Sequence, residues 1–273
     1  MKYYILFIFF IFHFVESQTH RFVYKIEYKR DSTSENKFKI NAVLDINQES
    51  IKFYPYNFID LDSMNLKSKN NKMSSTSPFD LIVTKKKRSD FFENYIFIGT
   101  DYFVYPSTEK INWTIDRDFK TEGDFKLQKA QTYYKGRHWI AWFSSDIPLN
   151  YGPYKFGNLP GLIFEIYDIK GNYKFKIIKN FKIPIEYDTE RIVETNFGKK
   201  PIQISFEKYI KLLKNAYYNP FAEYRGKTGD WTLGIFGRQI KTVKELDEVR
   251  KLQQNNIKRY NNPIELSNAI KYK

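Results

Sequence analysis

The chain has 273 residues, of which 42 % are hydrophobic, 19 % aromatic and 28 % charged. This composition supplies enough apolar side chains for a packed core and excludes a chain that is disordered over its whole length. It contains no cysteine, which excludes disulfides, thiolate catalysis and cysteine-ligated zinc. The formal net charge of +14 favours an anionic partner, although the codon usage of an AT-rich genome would supply the same lysines. No helix-turn-helix, zinc-finger or ribonucleoprotein pattern accompanies the charge, so we do not expect nucleic acid as the partner.

Residues 1–17 have the pattern of a secretory signal peptide. Lys2 precedes an apolar run that ends at Val15, and Val15 and Ser17 occupy the −3 and −1 positions of a cleavage site. The run is shorter than the roughly 20 residues needed to span a bilayer, so an uncleaved anchor is the weaker alternative. The sequence therefore predicts a chain of residues 18–273 that is exported to the periplasm or cell surface and has no transmembrane segment.

Most of residues 18–200 alternate apolar and polar side chains in short runs bounded by turn residues. Phe22, Tyr24, Ile26 and Tyr28, for example, are separated by single residues, which is the period of a half-buried strand. Strands are predicted at residues 21–30, 37–46, 50–54, 79–85, 95–98, 102–105, 111–115, 125–134, 138–143, 162–169 and 173–183. The polar stretch 65–77 is predicted to be a mobile surface loop.

The pattern changes to a helical one after residue 201. Ser205 can cap a helix that ends near Asn219, and Thr242 with Glu245 forms a capping box for a second helix that runs to about Lys258. A glycine-containing loop is predicted between them. We therefore expect a single, mainly β domain: one antiparallel sheet, curved or a half-barrel, with two amphipathic helices near the C-terminus.

Residues 135–168 carry the densest local signal. Pro148, Pro153 and Pro160 stiffen this stretch, and aromatic residues surround them. Pro160 and Gly161 stand where a type II turn requires them, so Leu159 to Leu162 is predicted to form such a turn. The stretch should therefore be a preorganised corner rather than a flexible tether.

These residues resemble the GLPGLI family, a group of exported Bacteroidota proteins without an assigned activity. The resemblance rests on the segments GPYKF (152–156) and LPGLI (159–163) and on a closing motif YNNPIEL (260–266). The motif positions are Gly152, Pro153, Leu159, Pro160, Gly161, Asn261, Asn262 and Pro263. Two departures are visible: Asn158 stands where the family usually has glycine, and residues 127–130 lack a cysteine that many relatives carry.

The family name implies no chemistry, so the candidate site comes from the residues of the corner. Fixed charges beside aromatic rings are typical of a ligand or partner site. The candidates are Arg137, Trp142, Asp146, Tyr154 and Lys155. The alternative is that Arg137 and Asp146 pair to hold the corner while Lys155 is solvated.

Catalytic patterns are sparse. His138 is the one histidine that could serve as a base, and a satisfied structural histidine is the more frequent case. The carboxylate pairs Asp116/Asp118 and Glu165/Asp168 would suit glycoside hydrolysis only at the right separation. No cofactor-binding or metal-ligand motif occurs in the sequence, so we expect neither a cofactor nor a bound metal.

We therefore expect a non-enzymatic binding or carrier module for an acidic or apolar ligand. The alternatives are an accessory protein that docks on an outer-membrane transport or export complex, and a hydrolase.

Overall fold

A computed structural model of the protein describes residues 18–68, 73–77 and 79–272. The predicted signal peptide at residues 1–17 lies outside the described residues. Within these ranges no helix combines the length and the apolar character needed to cross a membrane.

Across the described residues, twelve strands form one large sheet. They are β1 (Thr19–Tyr28), β2 (Phe38–Ile46), β3 (Ser50–Pro55), β4 (Ile82–Lys86), β5 (Phe91–Ile98), β6 (Asp101–Thr108), β7 (Thr114–Glu122), β8 (Phe125–Tyr134), β9 (Arg137–Ser144), β10 (Leu162–Asp168), β11 (Tyr173–Ile183) and β12 (Ile202–Gln203). Their order is β12-β6-β5-β4-β3-β2-β1-β11-β10-β9-β8-β7, with β12 and β7 at open edges rather than closed into a barrel. All pairs are antiparallel except β12 with β6. The predicted mainly β fold with an antiparallel sheet is confirmed.

Alternation along the strands divides the apolar residues between the two faces of the sheet. Tyr24, Leu44 and Trp139 belong to the main core, in which the rings of Trp139 and Phe175 lie 6.4 Å apart. Val43, between two main-core neighbours on β2, points to the opposite face and joins a second core. The central strands are therefore covered on both faces.

The second core is covered by α1 (Asn57–Lys67), a helix that the sequence did not predict. It buries Phe58, and its Asp62 accepts a hydrogen bond from Arg191 at 2.9 Å. The predicted loop at 65–77 therefore begins too early, because α1 continues to Lys67. Residues 73–77 have no regular structure, and residues 69–72 lie outside the described residues.

The two predicted C-terminal helices are present. In α2 (Phe206–Tyr218) the Ser205 hydroxyl accepts from the Lys208 amide at 3.2 Å, and α4 (Val243–Arg259) begins with the predicted Thr242–Glu245 capping box. The stretch between them also holds a short helix, α3 (Ala222–Arg225), and a small hairpin of β13 (Leu233–Ile235) and β14 (Arg238–Ile240). The predicted glycine-containing loop is therefore partly regular structure.

Candidate functional site

The segment between β9 and β10 forms a tightly fixed corner, as its prolines predict. The Leu162 amide donates to the Ile147 carbonyl at 3.1 Å, and the Asn158 amide donates to the Asn150 carbonyl at 2.9 Å. A Cβ at Gly161 would overlap the carbonyl oxygen of Ser144, so only glycine fits there. These contacts hold the corner against the end of β9.

The predicted type II turn at residues 159–162 is not formed. The Gly161 amide donates to the Leu159 carbonyl at 2.8 Å, while the Leu162 amide donates to Ile147 instead of closing the four-residue turn. Gly161 has φ of 158°, far from the value near +80° that a type II turn requires. The glycine is needed for close approach to the neighbouring strand rather than for the turn.

Two non-glycine residues of the corner have left-handed backbone. Asn158 has φ of 66°, a conformation that asparagine tolerates better than most residues, so the departure from the family's glycine is compatible with this backbone. Tyr154 has φ of 58°, which is unusual for a bulky residue. Its buried hydroxyl donates to Glu265 Oε1 at 2.8 Å, and this bond helps hold the strained residue in place.

Lys155 is the centre of a buried ionic cluster. Its side chain has no exposed surface, and its Nζ lies 2.9 Å from Glu109 Oε1, 2.5 Å from Glu265 Oε1 and 3.2 Å from Ser107 Oγ. Lys135 is a second cation for both carboxylates, at 3.1 and 3.7 Å. Burial alone would raise the pKa of Glu109, but the two lysines outweigh it and hold that pKa below its usual value.

Arg137 is also buried, and it binds the closing motif. Its Nε donates to the Ile264 carbonyl at 2.9 Å, and its Nη2 donates to Asn262 Oδ1 and to the Pro263 carbonyl, both at 2.6 Å. Its Nη1 lies 3.2 Å from Asp168 Oδ2. Arg137 therefore joins the start of β9 to the closing motif and to the end of β10.

The five candidate site residues do not share one exposed surface. Arg137, Tyr154 and Lys155 lie inside the protein. Half-buried Trp142 stacks under the Lys120 ammonium at 4.6 Å, and exposed Asp146 accepts from the Ser144 hydroxyl at 3.1 Å. In place of the Arg137–Asp146 pair considered from the sequence, Arg137 pairs with Asp168.

The catalytic candidates from the sequence are all engaged with neighbours. His138 Nε2 lies 3.1 Å from Gln131 Oε1, and the Glu165 carboxylate pairs with Lys120 and Lys174. Asp116 and Asp118 both pair with Lys129. In the part of the chain that the structure describes, no group of three or more His, Asp or Glu side chains is placed to hold a metal ion.

An open cleft of about 450 Å³ lies beside the Lys155 cluster, between the sheet, α2, α4 and the closing motif. We call it the tyrosine cleft, since it is lined by Tyr105, Tyr154, Tyr209, Tyr260 and Tyr272. Phe79, Asp80, Glu265 and several amide side chains complete the lining. Tyr154 is the single member of the predicted site that lines this cleft.

Asp80 is the distinctive polar group of the tyrosine cleft. The Tyr209 hydroxyl donates to its Oδ2. Burial raises the pKa of Asp80, nearby Glu265 adds to that rise, and Tyr209 and Lys155 oppose it. When Asp80 is ionised, its negative charge is therefore poorly offset by the groups around it.

Sequence reasoning missed most of this cleft. Asp80 lies between Phe79 and the fully buried Leu81, and an acid between two apolar neighbours was the available signal. Glu265 stands inside the recognised closing motif but was not assigned a role. The contact of these residues with Tyr105 and Tyr209 depends on how α2 packs on β6, which no local pattern shows.

Part of the chain matches a family of unknown function. Residues 94–165, from β5 through the corner into β10, match the family described as "Protein of unknown function (Porph_ging)". No curated protein matches the sequence.

The fold is similar to that of PNGF-II, solved in the C2 and P21 space groups. The TM-score is 0.51 in both cases, with 14 % sequence identity over 71 % of this chain. The chain spans about a third of the length of PNGF-II, 32 % in one crystal form and 33 % in the other. At this identity the likeness concerns the fold alone. The chain thus matches a family of unknown function from β5 to β10, the corner included, and shares the larger part of its fold with PNGF-II.

Proposed function

We propose that the protein is an exported binding module that holds a small organic ligand in the tyrosine cleft. The observation that carries this proposal is the cleft itself, about 450 Å³ of open space lined by aromatic rings and a few polar groups. Small-molecule sites typically have volumes of about 300 to 1,000 Å³ and this kind of lining.

The buried networks support the proposal because they hold the wall of the cleft rigid. Arg137 fixes Asn262 and Pro263, and Lys155 fixes Glu265, so the closing motif is anchored at several points. A site that is ordered before binding loses less conformational entropy when a ligand enters. In this proposal the motif residues of the corner shape the binding site from behind and do not contact the ligand, except for Tyr154.

Filling the cleft tests the proposal. Ala269 lines the cleft, so Ala269→Trp should occupy it, whereas Ala222→Trp places the same ring at an exposed position on α3. The probe is 2-phenylethanol, a neutral aromatic alcohol, and its binding is followed by saturation-transfer NMR. The natural protein and Ala222→Trp should bind it saturably, and Ala269→Trp should not. Equal binding by Ala269→Trp would overturn the proposal, and so would a natural protein that binds neither this alcohol nor its amine analogue, 2-phenylethylamine.

We also infer membership of the GLPGLI family and export by a cleaved leader. The corner and closing motifs support the first inference, and the pattern of residues 1–17 supports the second. Expression of the full chain in a bacterial host with export machinery, followed by N-terminal mass spectrometry, tests export. The expected first residue is Gln18, and an intact Met1 on the recovered protein would contradict cleavage.

A hydrolase is the second candidate, since Asp80 and Glu265 line the same cleft. The raised pKa of Asp80 would suit a general acid. Glu265, however, already accepts hydrogen bonds from Lys155, Tyr154 and Asn268, which leaves it poorly placed to act as a base. Turnover of 4-nitrophenyl glycosides or peptide 4-nitroanilides that disappears in Asp80→Asn would favour hydrolysis over binding alone.

A further inference from the structure

The charge inside the tyrosine cleft is opposite to that of the chain as a whole. The chain carries +14, yet the carboxylates that line the cleft are Asp80 and Glu265. Among the described residues that line the cleft, the one cationic side chain is Arg30, which is exposed and lies over the Tyr260 ring at 4.8 Å. The cleft therefore differs from a site shaped for an anion.

The two carboxylates are not equivalent. Glu265 is compensated by the ammonium groups of Lys155 and Lys135. Asp80 forms no ion pair with any residue that the structure describes, and its side-chain partner is the neutral hydroxyl of Tyr209. A half-buried carboxylate without an ion-pair partner has lost part of its hydration, so Asp80 is the position at which a cationic ligand gains most.

The aromatic rings around Asp80 favour the same ligand. Tyr105 and Tyr209 stack with centroids 5.0 Å apart and lie beside this carboxyl group. Burial, together with Asp80, Glu265 and Glu109, raises the pKa of Tyr105, so its hydroxyl stays neutral. Neutral tyrosine rings attract organic cations, and a desolvated carboxylate adds a charge-assisted hydrogen bond.

We propose that the tyrosine cleft binds a protonated organic amine, whose ammonium group donates to Asp80 and lies against the tyrosine rings. This inference rests on the proposed function, because it names the ligand class of the same site. An anion would meet the Asp80 and Glu265 carboxylates, and a neutral ligand would leave Asp80 without a counter-ion. A lysine side chain or a free alkylamine has the required chemistry, since either supplies N–H donors and an apolar stem.

Three probes of matched shape test the ligand class: 2-phenylethylamine, 2-phenylethanol and phenylacetate. Dissociation constants are measured at neutral pH by NMR titration of the natural protein. The amine should bind about tenfold more tightly than the alcohol, as expected for a hydrogen bond to a charged group, and phenylacetate should bind most weakly. Equal binding of amine and alcohol, or preferred binding of phenylacetate, would overturn the inference.

Asp80→Asn tests the role of the carboxylate. The variant keeps the shape of the side chain and an acceptor for Tyr209, so it should fold, which circular dichroism checks. It should lose the preference for amine over alcohol while binding the alcohol as before. Asp60→Asn, an exposed position on α1, should keep the preference. An unchanged preference in Asp80→Asn would show that this carboxylate does not bind the amine.

Arg30→Gln should strengthen amine binding, whereas Asp80→Asn weakens it. Arg30 carries the same charge as the amine at the rim of the cleft, so its removal should tighten binding of the amine about twofold, since an exposed charge contributes little. The same variant should bind phenylacetate more weakly. A weaker amine interaction in this variant would contradict the inference.

The amine inference and the proposed function fail in different ways. If the alcohol binds the cleft and the amine binds no better, cleft binding survives and the amine class is wrong. If none of the three probes binds, or if all bind Ala269→Trp as well as the natural protein, both proposals are wrong.

Discussion

The Arg137 guanidinium binds the side chain of Asn262, with Nη2 2.6 Å from Oδ1, across 125 residues of the chain. The bond joins the start of β9 to the closing motif. The Asn262 amide in turn donates to the Lys29 carbonyl at the end of β1, at 2.7 Å. One buried polar network therefore connects β1, β9 and the segment that forms a wall of the tyrosine cleft.

Arg137→Met should destabilise the protein by about 3 kcal/mol, because it leaves Asp168 without its buried counter-ion and frees the Pro263 and Ile264 carbonyls. Arg137→Lys should lose less stability, since lysine keeps the positive charge but lacks the planar fork of N–H donors. Urea unfolding followed by tyrosine and tryptophan fluorescence measures both. Arg117→Met, at an exposed position on β7, is the control, and a loss no larger than in this control would contradict a structural role for Arg137.

Lys155→Met should also destabilise the protein by about 3 kcal/mol at neutral pH, because two buried carboxylates would then share Lys135 alone. A variant that unfolds at the same urea concentration as the natural protein but no longer binds a partner would instead support docking through this side chain.

The cost of Lys155→Met should depend on pH. The folded-state pKa of Glu109 lies below its ordinary value of 4.5, so the stability it contributes is present above pH 4.5 and is lost as the pH falls through the folded-state pKa. The difference in unfolding free energy between the natural protein and Lys155→Met should therefore shrink in acid. Urea unfolding at a series of pH values measures it, and a constant difference would show that Glu109 is not the group responsible.

The strands and C-terminal helices could be predicted because their signals are local. Alternation on β1, the Ser205 cap and the Thr242–Glu245 box each lie within a few residues. Helix α1 was missed because much of its surface is polar, and it is held by tertiary contacts such as Phe58 in the second core. A helix that depends on packing leaves a weak sequence pattern.

The candidate site could be predicted only in part for the same reason. Arg137, Tyr154 and Lys155 are site candidates from the sequence, but their side-chain partners lie more than 30 residues away, such as Asp168, Glu109 and Glu265. The residue types could be read from the sequence, but whether their side chains face solvent or the core could not. For Asp80 the sequence shows only an acid between two apolar neighbours, and its contact with Tyr209 depends on how α2 packs against the sheet.

Gly161→Ala should prevent or severely weaken folding, because the added Cβ would overlap the Ser144 carbonyl, which is backbone and cannot move aside. Gly226→Ala is a matched control with open space around it and φ of −93°. Thermal unfolding should show a loss of many degrees for the first substitution and little change for the second. Similar unfolding temperatures for the two variants would mean that the corner adjusts freely.

Asp80→Asn should raise stability at neutral pH by about 1 kcal/mol, since it removes a carboxylate that is poorly compensated in the cleft. Burial raises the folded-state pKa of Asp80 above its ordinary value of 3.8, Glu265 adds to the rise, and Tyr209 and Lys155 oppose it. Because the folded state holds its proton more tightly than the unfolded state, the natural protein loses stability as the pH rises from 3.8 through the folded-state pKa.

The gain in Asp80→Asn should therefore be absent well below pH 3.8, grow with pH and then level off. Asp60→Asn should show no such gain, and thermal unfolding from pH 3 to 8 compares the three proteins. A loss of stability in Asp80→Asn at neutral pH would show that the carboxylate stabilises the fold, and would contradict the view that its role is to bind a ligand.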